Sequence, residues 1–113
     1  MPALTVQVQP ERAPRLDLDG VLGIFSRAAE MADAELTVTE GGDDGPYINY
    51  DFLTSDLPRL WEVLQSQVYT DEELGPQLAL ASIATCQGSR GWDNYLLLHH
   101  YDRSVKLDGL PAR

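Results

Sequence analysis

Leu4, Val6 and Val8 alternate with Thr5 and Gln7, the two-residue period of a strand that buries one face. Pro10 and Pro14 bracket the loop that follows, since proline donates no ladder hydrogen bond. The period then lengthens. Leu18, Val21, Leu22, Phe25, Ala28, Ala29 and Ala32 recur at three- and four-residue steps, which predicts a helix over about 17–33. Asp17 or Asp19 suits its N-cap, and Arg27, Glu30 and Asp33 fall on its outer side. Gly20 and Gly23 weaken its first turns.

Residues 36–39 and 47–52 read as two further strands, joined by the turn-forming run of residues 41–46 as a hairpin. Thr54, Ser55, Asp56, Leu57 and Pro58 form a helix-start signal. A hydroxyl caps, an acid suits the positive end of the dipole, and proline is tolerated in the first turn. Leu57, Leu60, Trp61, Leu64 and Val68 are the apolar stripe of that second helix, which ends near Tyr69. Residues 70–76 break the pattern. The stretch 77–86 carries helix-favouring alanines and then strand-favouring Ile83, Ala84, Thr85 and Cys86; the strand is the preferred reading. A glycine-rich loop leads from it into a last strand over 95–101. The tail from Asp102 reads either as a short edge strand through Val105 and Leu107 or as loose chain.

The order is strand, helix, strand, strand, helix, strand, strand. This predicts an α+β two-layer sandwich of ferredoxin-like, split βαβ type: an antiparallel sheet with two helices on one face. A length of 113 residues suits one compact domain over 1–113, with the last few residues free of it, and needs no covalent staple. One cysteine, Cys86, excludes an internal disulfide. The start of the chain has neither the basic nor the apolar segment of a signal peptide. No apolar run approaches the roughly 18 residues needed to span a bilayer. The expected compartment is the cytoplasm.

Charge changes the picture most. Eighteen acids against eight bases give −10, and residues 28–73 hold twelve of the acids against Arg59 alone, a balance of −11. The remaining six acids and seven bases give +1. Such a surface repels nucleic acid and anionic membrane and attracts a basic protein.

Candidate chemistry is sparse. Cys86 with His99 or His100, oriented by Asp93 or Asp102, has the composition of a nucleophile–base pair. A thiol is activated by electropositive surroundings, however, and this chain is acidic. Adjacent histidines on a strand point to opposite faces, so they do not converge on one metal ion, and no CxxC or HExxH spacing completes a site. Gly88, Ser89, Arg90 and Gly91 resemble a phosphate cradle but lack the P-loop spacing and a following helix, so a hairpin loop is the simpler account. The tyrosines are not set among the basic residues of an RNA-binding sheet. No cofactor or metal is expected.

The expectation is therefore a protein-binding module that inhibits a basic partner. In bacteria this is the profile of an immunity or antitoxin-type protein against a nucleic-acid- or nucleotide-acting toxin, whose phosphate positions carboxylates occupy. Its expected contact residues are Glu40, Asp43, Asp44, Asp51, Asp71, Glu72 and Glu73, with Tyr47 and Trp92 as aromatic anchors. Two alternatives remain open. One is a sensor or small enzyme with a pocket lined by Tyr50, Trp61, Cys86, His99 and Tyr101 between sheet and helices. The other is a homodimer or larger homo-oligomer pairing through the open sheet face.

Overall fold

The computed structural model describes residues 2–42, 45–87 and 95–110. Asp43, Asp44, Trp92 and the glycine-rich loop of residues 88–91 lie outside the described residues. Five strands, β1 (Ala3–Val8), β2 (Glu35–Gly41), β3 (Tyr47–Leu53), β4 (Ser82–Gln87) and β5 (Tyr95–His99), form one antiparallel sheet in the order β2-β3-β1-β4-β5. Three helices accompany it: α1 (Leu18–Met31), α2 (Leu57–Gln67) and α3 (Gly75–Ala81), with a 3-10 turn at Pro10–Arg12. The α+β class and the antiparallel sheet agree with the sequence pattern, and the arrangement is compatible with a two-layer sandwich. Among the described residues no helix is long and apolar enough to cross a membrane.

The helices start where their caps place them. Asp17 accepts a hydrogen bond from the Gly20 amide at 3.2 Å, and Asp56 accepts from the Arg59 amide at 3.1 Å. At the second site the hydroxyl has a supporting role: Thr54 Oγ1 accepts from the Asp56 amide at 3.0 Å and so holds the cap in place. Asp33, expected inside the first helix, instead lies beyond its end with φ +54, in the left-handed region. That conformation lets the Ala34 amide donate back to the Ala29 carbonyl at 2.8 Å, closing the helix.

Three expectations need correction. Residues 77–86 are neither one strand nor one helix: α3 runs to Ala81 and β4 begins at Ser82. Pro76 suits the first turn of a helix, and the alanines then give way to the β-branched pair Ile83 and Thr85. The last strand stops at His99 rather than residue 101, and of the two readings of the tail the described part, residues 102–110, takes that of turns and irregular chain. Asp102 turns the chain there, its carboxylate accepting from the Ser104 amide and hydroxyl at 2.9 and 2.7 Å. Leu18 and Leu22, counted on the buried face of α1, are 38% and 44% exposed.

The core is made by alternation. Leu4, Val6 and Val8 of β1, Ile48, Tyr50 and Phe52 of β3, and Ala84 and Cys86 of β4 are buried on the helix side. Phe25 of α1 stacks on Tyr50 with ring centroids 4.6 Å apart and meets Phe52 at 5.8 Å, locking α1 to the middle of the sheet.

Candidate functional site

The same alternation leaves the opposite sheet face to Ala3, Thr5 and Gln7 of β1, Thr37 and Thr39 of β2, Tyr47, Asn49 and Asp51 of β3, and Thr85 of β4. These residues are half-buried to exposed. Register groups them into rows: Thr37, Asp51, Thr5 and Thr85 form one, and Thr39, Asn49, Gln7 and Ile83 the next. Thr5 Oγ1 donates to Asp51 Oδ1 at 2.6 Å, so the central carboxylate of this face is held by a hydroxyl. Asn49 Oδ1 is buried with no hydrogen-bond partner among the described residues.

None of the five strands contains lysine or arginine. Arg12 stands at the end of this face, and its guanidinium is engaged. Nε donates to Gln9 Oε1 at 2.6 Å, and the group lies 3.5 Å over the Tyr101 ring. Gln9 in turn donates to Gln7 Oε1 at 3.2 Å. Gln7, Glu11, Arg12 and Tyr47 line a recess of about 690 Å³ here. Tyr47 lies against Gly41, where any side chain would collide with its ring.

The expected contact residues are spread over several surfaces. Tyr47 and Asp51 belong to the open face, whereas Glu40 is opposite buried Ile48 and so projects on the helix side. There it lies near Tyr50, whose hydroxyl is raised above its ordinary pKa by burial and by the Glu40 charge. Asp71 is occupied with structure: its Oδ2 accepts from the Glu73 and Leu74 amides at 3.1 and 2.8 Å and starts the turn into α3. Glu72 and Glu73 in that turn are exposed. Register thus joins Asp51 to the β2 border, while 71–73 belong to the connection between α2 and α3. Asp43, Asp44 and Trp92 fall outside the described residues.

Two of the five residues of the proposed pocket lining are packed core. Tyr50 and Cys86 are each 2% exposed. Burial, with the Asp108 charge second, pushes the Cys86 thiol up to about 11, the opposite of the activation a nucleophile needs. His99 lies toward the helix layer, the side expected of it. A bulge between Ala84 and Thr85 lets buried Leu98 and His99 both address the helix layer, where His99 Nε2 donates to the Ala79 carbonyl at 2.9 Å. Its ring lies 4.8 Å from that of Tyr69. His100 turns away, its Nδ1 accepting from the Asp102 amide at 3.0 Å. Among the described residues no three histidine, cysteine or acidic side chains are grouped to hold a metal ion.

The sequence pattern did not single out β2 as an exposed border. The available signal was the pair Thr37 and Thr39 around one valine, with acids at either end and no base. Comparison of the chain with family models, with curated proteins and with solved structures finds no match.

Proposed function

We propose that this chain is an acidic protein-binding module that captures and neutralises a basic partner. The observation that carries the reading is a five-stranded sheet without one lysine or arginine, in a chain of net charge −10. Charge of one sign over a rigid sheet steers a basic protein into encounter and rejects nucleic acid. An immunity or antitoxin-type inhibitor is the specific form we favour, acting in the cytoplasm on a toxin whose cationic cleft is built for phosphates. The strand order, with β3 between β1 and β2 and β1 between β3 and β4, supports reading the scaffold as split βαβ, ferredoxin-like. That architecture hosts many functions and adds nothing to the choice of partner.

Packing argues against the alternative of a ligand pocket between sheet and helices, since two of its five lining residues have almost no exposed surface. The test is reconstitution. Protein recovered on the tagged chain at low salt is purified, and its association with the chain is followed by stopped flow. The reading expects a basic partner whose association slows about tenfold or more between 20 and 300 mM salt. Reversing Asp43, Asp44, Glu72 and Glu73 to lysine flattens that dependence. A neutral or acidic partner, or a rate indifferent to salt, overturns it. For the toxin form, one equivalent of the chain abolishes the partner's activity on nucleic acid or nucleotide.

A further inference from the structure

The two borders of the sheet are treated differently. At β5 the strand is five residues long and its pairing with β4 is interrupted by the bulge. The chain's own tail covers it: the Asp108 amide donates to the Leu97 carbonyl at 2.7 Å, and the Leu97 amide donates to Asp108 Oδ2 at 2.9 Å. These are devices that keep an edge from recruiting another strand. At β2 none of these three is present among the described residues. The strand pairs with β3 through seven consecutive residues without a shift, and five of those seven are exposed. It contains no proline, lysine or bulge, and among the described residues no strand pairs with its outer side, which leaves those backbone donors and acceptors as a template.

An apolar flank lies beside this template. Gly20 of α1 abuts Leu74, and Arg59 Nη2 donates to the Met31 carbonyl at 3.5 Å, so that side of α1 faces α2 and α3. Helical spacing puts Leu18 and Leu22 on the other flank, above β2. They are 38% and 44% exposed, and Val38 of β2 is 41% exposed. Glu35 and Glu40 stand near the two ends of the strand on opposite faces, both exposed, and Asp51 is opposite Thr37.

We infer that β2 is a docking edge for an extended basic segment of a partner protein, added as a sixth strand. The partner's bases lie against Glu35 and Glu40, and an apolar side chain covers exposed Val38. Main-chain bonds supply affinity, while the acids near the two ends of the strand and the exposed valine supply selection. A second copy of this chain is the disfavoured occupant, because two chains of −10 repel each other. The inference rests on the acidic-module reading and adds the place and manner of binding.

The test uses the isotope-labelled full chain and a capped synthetic peptide, SKTVTVKS, which in antiparallel register puts lysines opposite Glu35 and Glu40 and valine opposite Val38. Titration followed by NMR is expected to shift the Glu35–Gly41 amides and to slow hydrogen exchange at alternate ones. The acidic counterpart SETVTVES is expected to leave them unmoved. Glu35→Lys with Glu40→Lys, and separately Val38→Lys, each weaken the peptide about tenfold or more; all three sites are exposed, so the fold is retained. Shifts confined to residues 71–73 or to the open face overturn the edge placement and leave the acidic module standing. Absence of peptide binding, with the reconstituted basic partner still bound, does the same. Absence of both removes the two readings together. Concentration-dependent protection of β2 without peptide makes a second copy the occupant and overturns the basic one.

Discussion

The Tyr69 hydroxyl lies 2.8 Å from Ser82 Oγ. Ser82 is fully buried and gives its own proton to the Leu78 carbonyl at 2.6 Å, so it accepts from Tyr69. This pair ties the connection after α2 to the first residue of β4. Tyr69→Phe removes one bond and leaves Ser82 served by Leu78, a loss of about 1 kcal/mol. Ser82→Ala leaves the tyrosine hydroxyl without its acceptor and costs more, about 1–3 kcal/mol. Urea denaturation of the two variants checks the order.

Burial pushes the same hydroxyl up to about 12 from 10.0. The folded state therefore holds this proton more tightly than the unfolded chain does. The group's contribution is present in full below pH 10 and is lost as pH rises from 10 towards 12, to an extent of about 3 kcal/mol. Cys86, raised from 9.0 to about 11, acts in the same direction from pH 9 upward. Alkaline unfolding midpoints should fall over this window, and less steeply in Tyr69→Phe.

His99 contributes on the acid side. Its pKa is lowered from 6.5, first by burial, against the raising effect of its bond to Ala79 and with a further lowering by His100. A depressed histidine favours the fold above its unfolded pKa, so its contribution is complete above pH 6.5 and lost as pH falls below it. His99→Phe keeps a ring against Tyr69 and removes the titration. The drop in urea midpoint between pH 8 and 5 should be smaller in this variant than in the parent.

Gly75 opens α3 in a place where no side chain fits. A β-carbon there meets the Tyr69 carbonyl oxygen at 2.5 Å and the Val68 carbonyl oxygen at 3.3 Å, both backbone atoms. Gly75→Ala should cost about 1–3 kcal/mol, although alanine is the better helix former, and lower the melting temperature by several degrees. A melting temperature equal to or above the parent's would show that the backbone relaxes freely.

Elements whose burial follows one period were legible before any coordinates. β1, β3 and α2 are examples: each alternates or repeats cleanly, and the hydrophobic effect needs little else to place them. Residues 77–86 resisted because two short elements meet inside ten residues, where neither period completes a cycle. Leu22 misled for a different reason. It fits the apolar stripe of α1 yet is 44% exposed, on the flank away from α2 and toward the sheet's β2 border, and sequence spacing carries no information about where a sheet ends. The exposed β2 border escaped for the same cause, since an edge strand and an interior strand of this length read alike until their neighbours are known. The helix-side place of His99 agrees with the sequence reading, whereas the bulge beside it was not legible, since a bulge adds one residue to the count without altering the composition.

The position of β1 at the centre of the sheet also sets an order of events. Thr5 and its partner Asp51 are 46 residues apart, and Ala3 and its partner Gln87 are 84 apart. The strand that leaves the ribosome earliest of the five thus waits longest for its second neighbour, with Leu4, Val6 and Val8 open on the apolar side meanwhile. Closing such long loops before any reward arrives predicts slow, nonlocal folding. During synthesis β1 is the segment most in need of a chaperone's cover.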